Sequence, residues 1–103
     1  MKKILIFLTC ANKKEADIIS KTLLEKKLVV CIKKSPVVSS FLWKGKTNSS
    51  KEILLIMDSI DDKFEGIERE VRKLHSYNAF VLIAIPVVKA SRGIEEWMRE
   101  ELK

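Results

Sequence analysis

Hydrophobic positions along this chain change period five times, and the changes mark out its elements. From Lys3 to Thr9 the sequence KILIFLT is almost unbroken apolar, which predicts a strand buried on one or both faces. In NKKEADIISKTLLEKK the period becomes helical: Ala16, Ile19 and Leu23 recur on one side, with lysines and glutamates opposite. Asn12 is placed to cap this helix and Glu15 to complete a capping box. From Leu28 to Trp43, LVVCIKKSPVVSSFLW is β-prone again. Pro36 lacks the N–H that a central ladder needs, so a bend or an edge is expected there. KGKTNSS then reverses the chain into KEILLIMDS, which makes a hairpin of Leu28 to Trp43 with Glu52 to Asp58.

Helical spacing resumes in DDKFEGIEREVRKLH, where Phe64, Ile67, Val71 and Leu74 form the apolar stripe. Asp61 is expected to cap this helix, and Arg72 and Lys73 complement its C-terminal end. AFVLIAIPV reads as a fourth strand ended by Pro86, and SRGIEEWMREELK as a last helix docked through Ile94, Trp97 and Met98. The order β-α-β-β-α-β plus a terminal helix predicts an α+β, ferredoxin-like domain with two helices on one face of a four-stranded antiparallel sheet. All of 1–103 fits one such domain.

That architecture leaves one sheet face without helices, yet LVVCI and FVLIAI are apolar at consecutive positions instead of alternating. A second copy of the chain is the expected cover, and the long strand through Trp43 offers an edge for extending a neighbour's sheet.

Composition narrows the picture. The chain is 47% hydrophobic with three glycines and two prolines, which excludes a disordered tail. No apolar run approaches the length of a membrane span. The opening MKKILIFLTCA has the outline of a leader, but its short apolar run is followed directly by an amphipathic helix, so it reads as the first strand. A net charge of +6 favours anions in general. The basic residues are spread over every polar face without an RNA-binding signature, so neither a specific nucleic acid nor a membrane is an expected partner. Cys10 and Cys31 have no zinc spacing and read as free thiols, which points to a reducing cytoplasm.

Candidate chemistry is sparse. The only histidine and the only tyrosine, His75 and Tyr77, stand two residues apart before the most apolar stretch. His75 reads either as a helix-end residue or as a ligand for a soft metal, and one histidine supplies too few ligands for a tight site. Cys31 reads as core packing or a soft-metal ligand, Cys10 as packing, and Trp43 as an interface anchor or a cleft wall. Asp58, Asp61 and Asp62 sit where capping explains them without a metal. Phosphate loops, nucleotide-binding glycine patterns and nucleophile elbows do not occur, so nothing supports an enzyme or a required cofactor.

Taken in order, the opening strand, LLEKKLVVCIKKSPVVSSFLWKGK, KEILLIMDS, LHSY, AIPV and the tryptophan of IEEWMREE resemble the CutA family of divalent-cation tolerance proteins over nearly the whole chain. The resemblance implies a ferredoxin-like subunit in a tight homotrimer and a role in the response to divalent metals, copper above all. It sets Cys31 on the cysteine of an ACVN-like strand, Trp43 and Gly45 on a W-x-G turn, and His75 and Tyr77 on an HPYE-like corner. Here Ser76 replaces the proline and Asn78 the acidic residue of that corner, Phe80 stands at another frequent proline, Asp58 replaces a strand-end lysine and Lys33 an asparagine.

The reading that follows is a non-enzymatic cytoplasmic homotrimer that responds to divalent metals, with weak copper binding at Cys31, His75 or both. Two alternatives accompany it: a regulatory or scaffold protein with no physiological metal, and a small-anion binder at an inter-subunit cleft near Trp43, Tyr77 and Asn78.

Overall fold

The computed structural model describes residues 1–103 and has the element order anticipated from the periodicity. Strand β1 spans Lys3–Cys10, helix α1 Lys13–Glu25, β2 Cys31–Trp43, β3 Lys46–Ile60, α2 Phe64–Leu74, β4 Leu82–Pro86 and α3 Ile94–Glu101. The four strands form one sheet in the order β2-β3-β1-β4, with every neighbouring pair antiparallel.

Alternation along β1 divides its apolar residues between the two faces. Ile4, Ile6, Leu8 and Cys10 are buried beneath the helices, where they meet Ala16, Ile19 and Leu23 of α1 and Ile67 and Val71 of α2. Leu55 and Met57 of β3 complete this core. On the opposite face the register sets Phe7 beside Ile56 and Ile83, Leu5 beside Ile85, and Thr9 beside Leu54. Ile83 and Ile85 remain 50% and 45% exposed, and Val81 beside them is exposed too. An apolar sheet face therefore stands open to solvent, as the consecutive hydrophobic positions anticipated.

The β2–β3 hairpin is longer than the sequence suggested. KGKTNSS is not a loop: the reversal uses only Lys44 and Gly45, with φ of 51° and 76°, and pairing resumes at Trp43 with Lys46. Positive φ at both central residues gives the turn hand that matches strand twist, and glycine accommodates it without strain. Polar Thr47 to Ser50 extend β3 because the hairpin projects beyond the helices, where neither face needs to be apolar. Pro36 causes no break. It lies opposite Ile53 in continuous pairing, and it is tolerated because β2 is an edge strand.

Two end features differ from the sequence reading. Asp61 does not cap α2; it opens a 3-10 turn over Asp61–Lys63, and its amide donates to the Lys2 carbonyl at 2.9 Å. Helix α3 docks through Met98 and Leu102, with Lys3 bound to Glu95 at 2.6 Å, while Trp97 is 43% exposed.

The two-faced sheet predicts a steep contrast in stability. Ile6→Ala should lower unfolding free energy by about 2–5 kcal/mol through loss of buried contacts. Val88→Ala, at an exposed loop position, should stay within about 0.5 kcal/mol. Chemical denaturation of both variants measures the difference.

Candidate functional site

The corner where β1 enters α1 and α2 leaves for β4 holds most of the chain's buried polar chemistry. Asn12 caps α1 as anticipated, its Oδ1 accepting the Glu15 amide at 2.9 Å. The Glu15 side chain reaches back one residue beyond the cap. Its Oε2 accepts the Ala11 N–H and its Oε1 accepts the Ser76 N–H, both at 2.7 Å. One carboxylate thus fastens the first βα junction to the segment after α2.

His75 follows α2 and its side chain is fully buried. The Tyr77 N–H donates to Nδ1 at 3.0 Å, so Nδ1 carries a lone pair. Nε2 lies 2.8 Å from the Thr9 carbonyl, which only accepts, so Nε2 carries the proton. This assigns a neutral imidazole with both nitrogens occupied. Phe80 stacks on the ring at a centroid distance of 5.2 Å, and the Arg72 guanidinium lies 4.7 Å from the Phe80 centroid.

Tyr77 continues the network. Its hydroxyl donates to Glu52 Oε2 at 2.7 Å. Burial, reinforced by the hydrogen bond to Glu52 and its charge, pushes the phenol up to about 12. Cys10 lies close to both carboxylates, and burial followed by the charges of Glu15 and Glu52 pushes its thiol up to about 12. Burial also raises the Glu15 carboxyl, but the hydrogen bonds from Ala11 and Ser76 outweigh it, and the net displacement is downward.

Cys31 occupies a different place. It begins β2 opposite Asp58, half-buried, with the Lys33 ammonium 3.7 Å from its sulfur and 3.4 Å from Asp58 Oδ2. The negative Asp58, then Cys31, raise the Lys33 pKa. Trp43 sits at the exposed hairpin tip beside Lys44. Trp43 lies six positions along β2 from Val37, the partner of Glu52, so the tip lies roughly 20 Å along the strand from the Tyr77 corner. Asn78 is exposed in the loop after it. Within one chain, then, Trp43 is not brought to Tyr77 and Asn78.

The one group of donor atoms close enough to share a metal is Cys10, Glu15 and His75, within 4.8 Å of one another. Cys31 is not part of it. These three residues do not fit a ready chelate: Glu15 is saturated by two amides, the imidazole lone pair is taken by Tyr77, and the Cys10 thiol holds its proton. They fit a hydrogen-bonded structural corner. Glu15 was visible in the sequence as a capping residue, but its bond to Ser76, 61 positions away, was not. Glu52 carried no signal at all, since it reads as the polar start of a strand.

Two pH effects follow. Because Glu15 has a lowered folded pKa, its contribution to stability is complete above the unfolded value near 4.5 and is lost as pH falls through the lower folded value. Glu15→Gln should therefore flatten the acid limb of stability below that pH in denaturation experiments. Tyr77 is the only tyrosine, so phenolate absorbance reports it alone. Its midpoint should fall near 12 in the folded chain, against 10.0 unperturbed, and move down in Glu52→Gln. A raised phenol pKa means that stability is full below pH 10 and declines as pH rises toward 12.

Residues 4–101 match the family model described as CutA1 divalent ion tolerance protein. The divalent-cation tolerance protein CutA of Archaeoglobus fulgidus is 34% identical over 98 residues, covering 95% of this chain and 96% of that one. Protein CutA of Homo sapiens is 30% identical over 95 residues, 91% of this chain, which spans only 53% of the human protein. Among solved structures, the periplasmic divalent cation tolerance protein CutA from Archaeoglobus fulgidus superposes with a TM-score of 0.95 at 33% identity, covering 98% of this chain and 99% of that one. The divalent cation tolerance protein from Thermus thermophilus gives 0.94 at 25%, with the same coverage of both chains. With its sequence matched nearly end to end and its sheet and three helices shared, the chain belongs to the CutA1 divalent ion tolerance protein family.

Proposed function

We propose that this chain serves divalent-cation tolerance as a homotrimer, with the assembly as the working unit and with no metal held at His75. The observation that carries the reading is the open apolar sheet face formed by Leu5, Phe7, Leu54, Ile56, Ile83 and Ile85. A patch of this kind on a folded domain is covered by a partner, and a second copy offers the same apolar surface together with a long edge strand. Family membership supports the connection to divalent cations.

The metal contact proposed for this chain is narrow. Cys31 offers a half-buried sulfur on the apolar face of the sheet, whereas the imidazole lone pair of His75 is committed to the Tyr77 amide. Copper binding through a single thiolate from each chain is weak and transient, suited to a response to metal excess more than to storage. Two free cysteines support a reducing compartment. The regulatory alternative without a physiological metal draws its support from the same saturated corner.

Native mass spectrometry of reduced, metal-free protein titrated with copper separates these readings. Copper adducts on a trimer should disappear in Cys31→Ser and persist in His75→Gln. Adducts lost in His75→Gln but kept in Cys31→Ser would contradict the assignment, and no adduct at micromolar copper would favour the regulatory reading.

A further inference from the structure

The imidazole of His75 is fixed in a role that only its neutral form can fill. Nδ1 accepts the Tyr77 N–H at 3.0 Å while Nε2 donates to the Thr9 carbonyl at 2.8 Å. A proton on Nδ1 would turn the first contact into two N–H groups facing each other, since an imidazolium has no acceptor to offer. The Thr9 bond survives protonation, because Nε2 donates in both forms.

The surroundings decide what gives way. Glu15 of α1 places Oε2 3.7 Å from Nε2, so a charged ring gains an anionic neighbour while the amides of Ala11 and Ser76 keep their bonds to that carboxylate. Glu52 of β3 adds negative charge across Tyr77, whose hydroxyl it accepts. Cys10 at the end of β1 holds its proton and contributes no charge. The opposing charge is Arg72 of α2, which rests on Phe80 and pairs with Glu68. Two carboxylates against one paired guanidinium favour a charged ring in place, and the bond that cannot coexist with it is the one from the Tyr77 amide. Ser76–Val81 lies outside any helix or strand. It is tied down by the Ser76 amide on Glu15, the Tyr77 amide on His75 and the Tyr77 hydroxyl on Glu52, with Phe80 stacked on the imidazole.

We propose that His75 is an acid-operated latch: one proton taken from solvent at Nδ1 releases the Tyr77 amide and loosens Ser76–Val81, while the core beneath α1 and α2 stays folded. The segment leads directly into β4, so the latch sets how firmly that edge strand is held at its start. The proposal goes beyond cation tolerance and needs neither a metal nor a second copy of the chain.

His75 is the only histidine, so nitrogen-15 magnetic resonance of the intact protein reads its ring without ambiguity. At about pH 8 the ring should be the tautomer protonated at Nε2. On acidification to about pH 5, conversion to imidazolium and a loss of Tyr77 amide protection of about tenfold should share one midpoint, with the Ile6 amide still protected. Glu15→Gln should move that midpoint to lower pH. In His75→Gln, whose carboxamide oxygen accepts an N–H at every pH, Tyr77 protection should not vary; the wild-type coincidence and Glu15→Gln carry the test if this variant fails to fold. A ring that titrates with no response at Tyr77, or that stays neutral until Ile6 also loses protection, would overturn the proposal. So would an unmoved midpoint in Glu15→Gln or the same Tyr77 response in His75→Gln.

Discussion

The constraint on which this structure depends is a sheet with two apolar faces and helices for only one of them. Strand β1 shows it most plainly: Ile4, Ile6, Leu8 and Cys10 face the helices, and Leu5 and Phe7 face away. Removing such surface from water is the main driving force of folding and association alike. Inside the chain the force is met by α1 and α2. Outside it is unmet, and the long β2–β3 hairpin carries further exposed apolar residues, Val38, Phe41, Leu42 and Trp43, away from the body. With this projection the chain measures 45 Å in its longest dimension.

Against that open face, the Glu15 corner is closed and rigid. Its hydrogen bonds join separate segments: the turn after β1 through Ala11, the segment after α2 through Ser76, and β3 through the Tyr77 to Glu52 bond. Each saturated donor or acceptor here is one that a metal would have to displace. The corner that looked most reactive in sequence is in this way the one most occupied by the fold. The half-buried Cys31 sulfur stands apart from it, at the start of β2 on the open sheet face.

Elements governed by local pattern were legible in the sequence. Apolar periodicity gave the order of strands and helices, and Asn12 with Glu15 announced the start of α1. What escaped the sequence depends on where elements lie in space. Thr47 to Ser50 read as a loop because they are polar, but a projecting hairpin imposes no burial on either face. Trp97 shares its helical stripe with Met98, yet only Met98 and Leu102 reach the core, because α3 packs at a periphery where there is too little surface to cover an indole. Cys31 and His75 were candidates of equal standing, and nothing in their spacing told that one begins an edge strand on the open face while the other is sealed beneath the helices. The site residues Glu15 and Glu52 depend on contacts between distant segments, which periodicity does not report.

The central claim is that copies of this chain cover the open sheet face, and sedimentation equilibrium over a wide range of protein concentration tests it most directly. The account predicts a single species of three times the 11.9 kDa chain mass that persists on dilution, and that falls to monomer when Ile83 is replaced by aspartate. A stable wild-type species at the monomer mass, with Ile83 and Ile85 left in water, would contradict it.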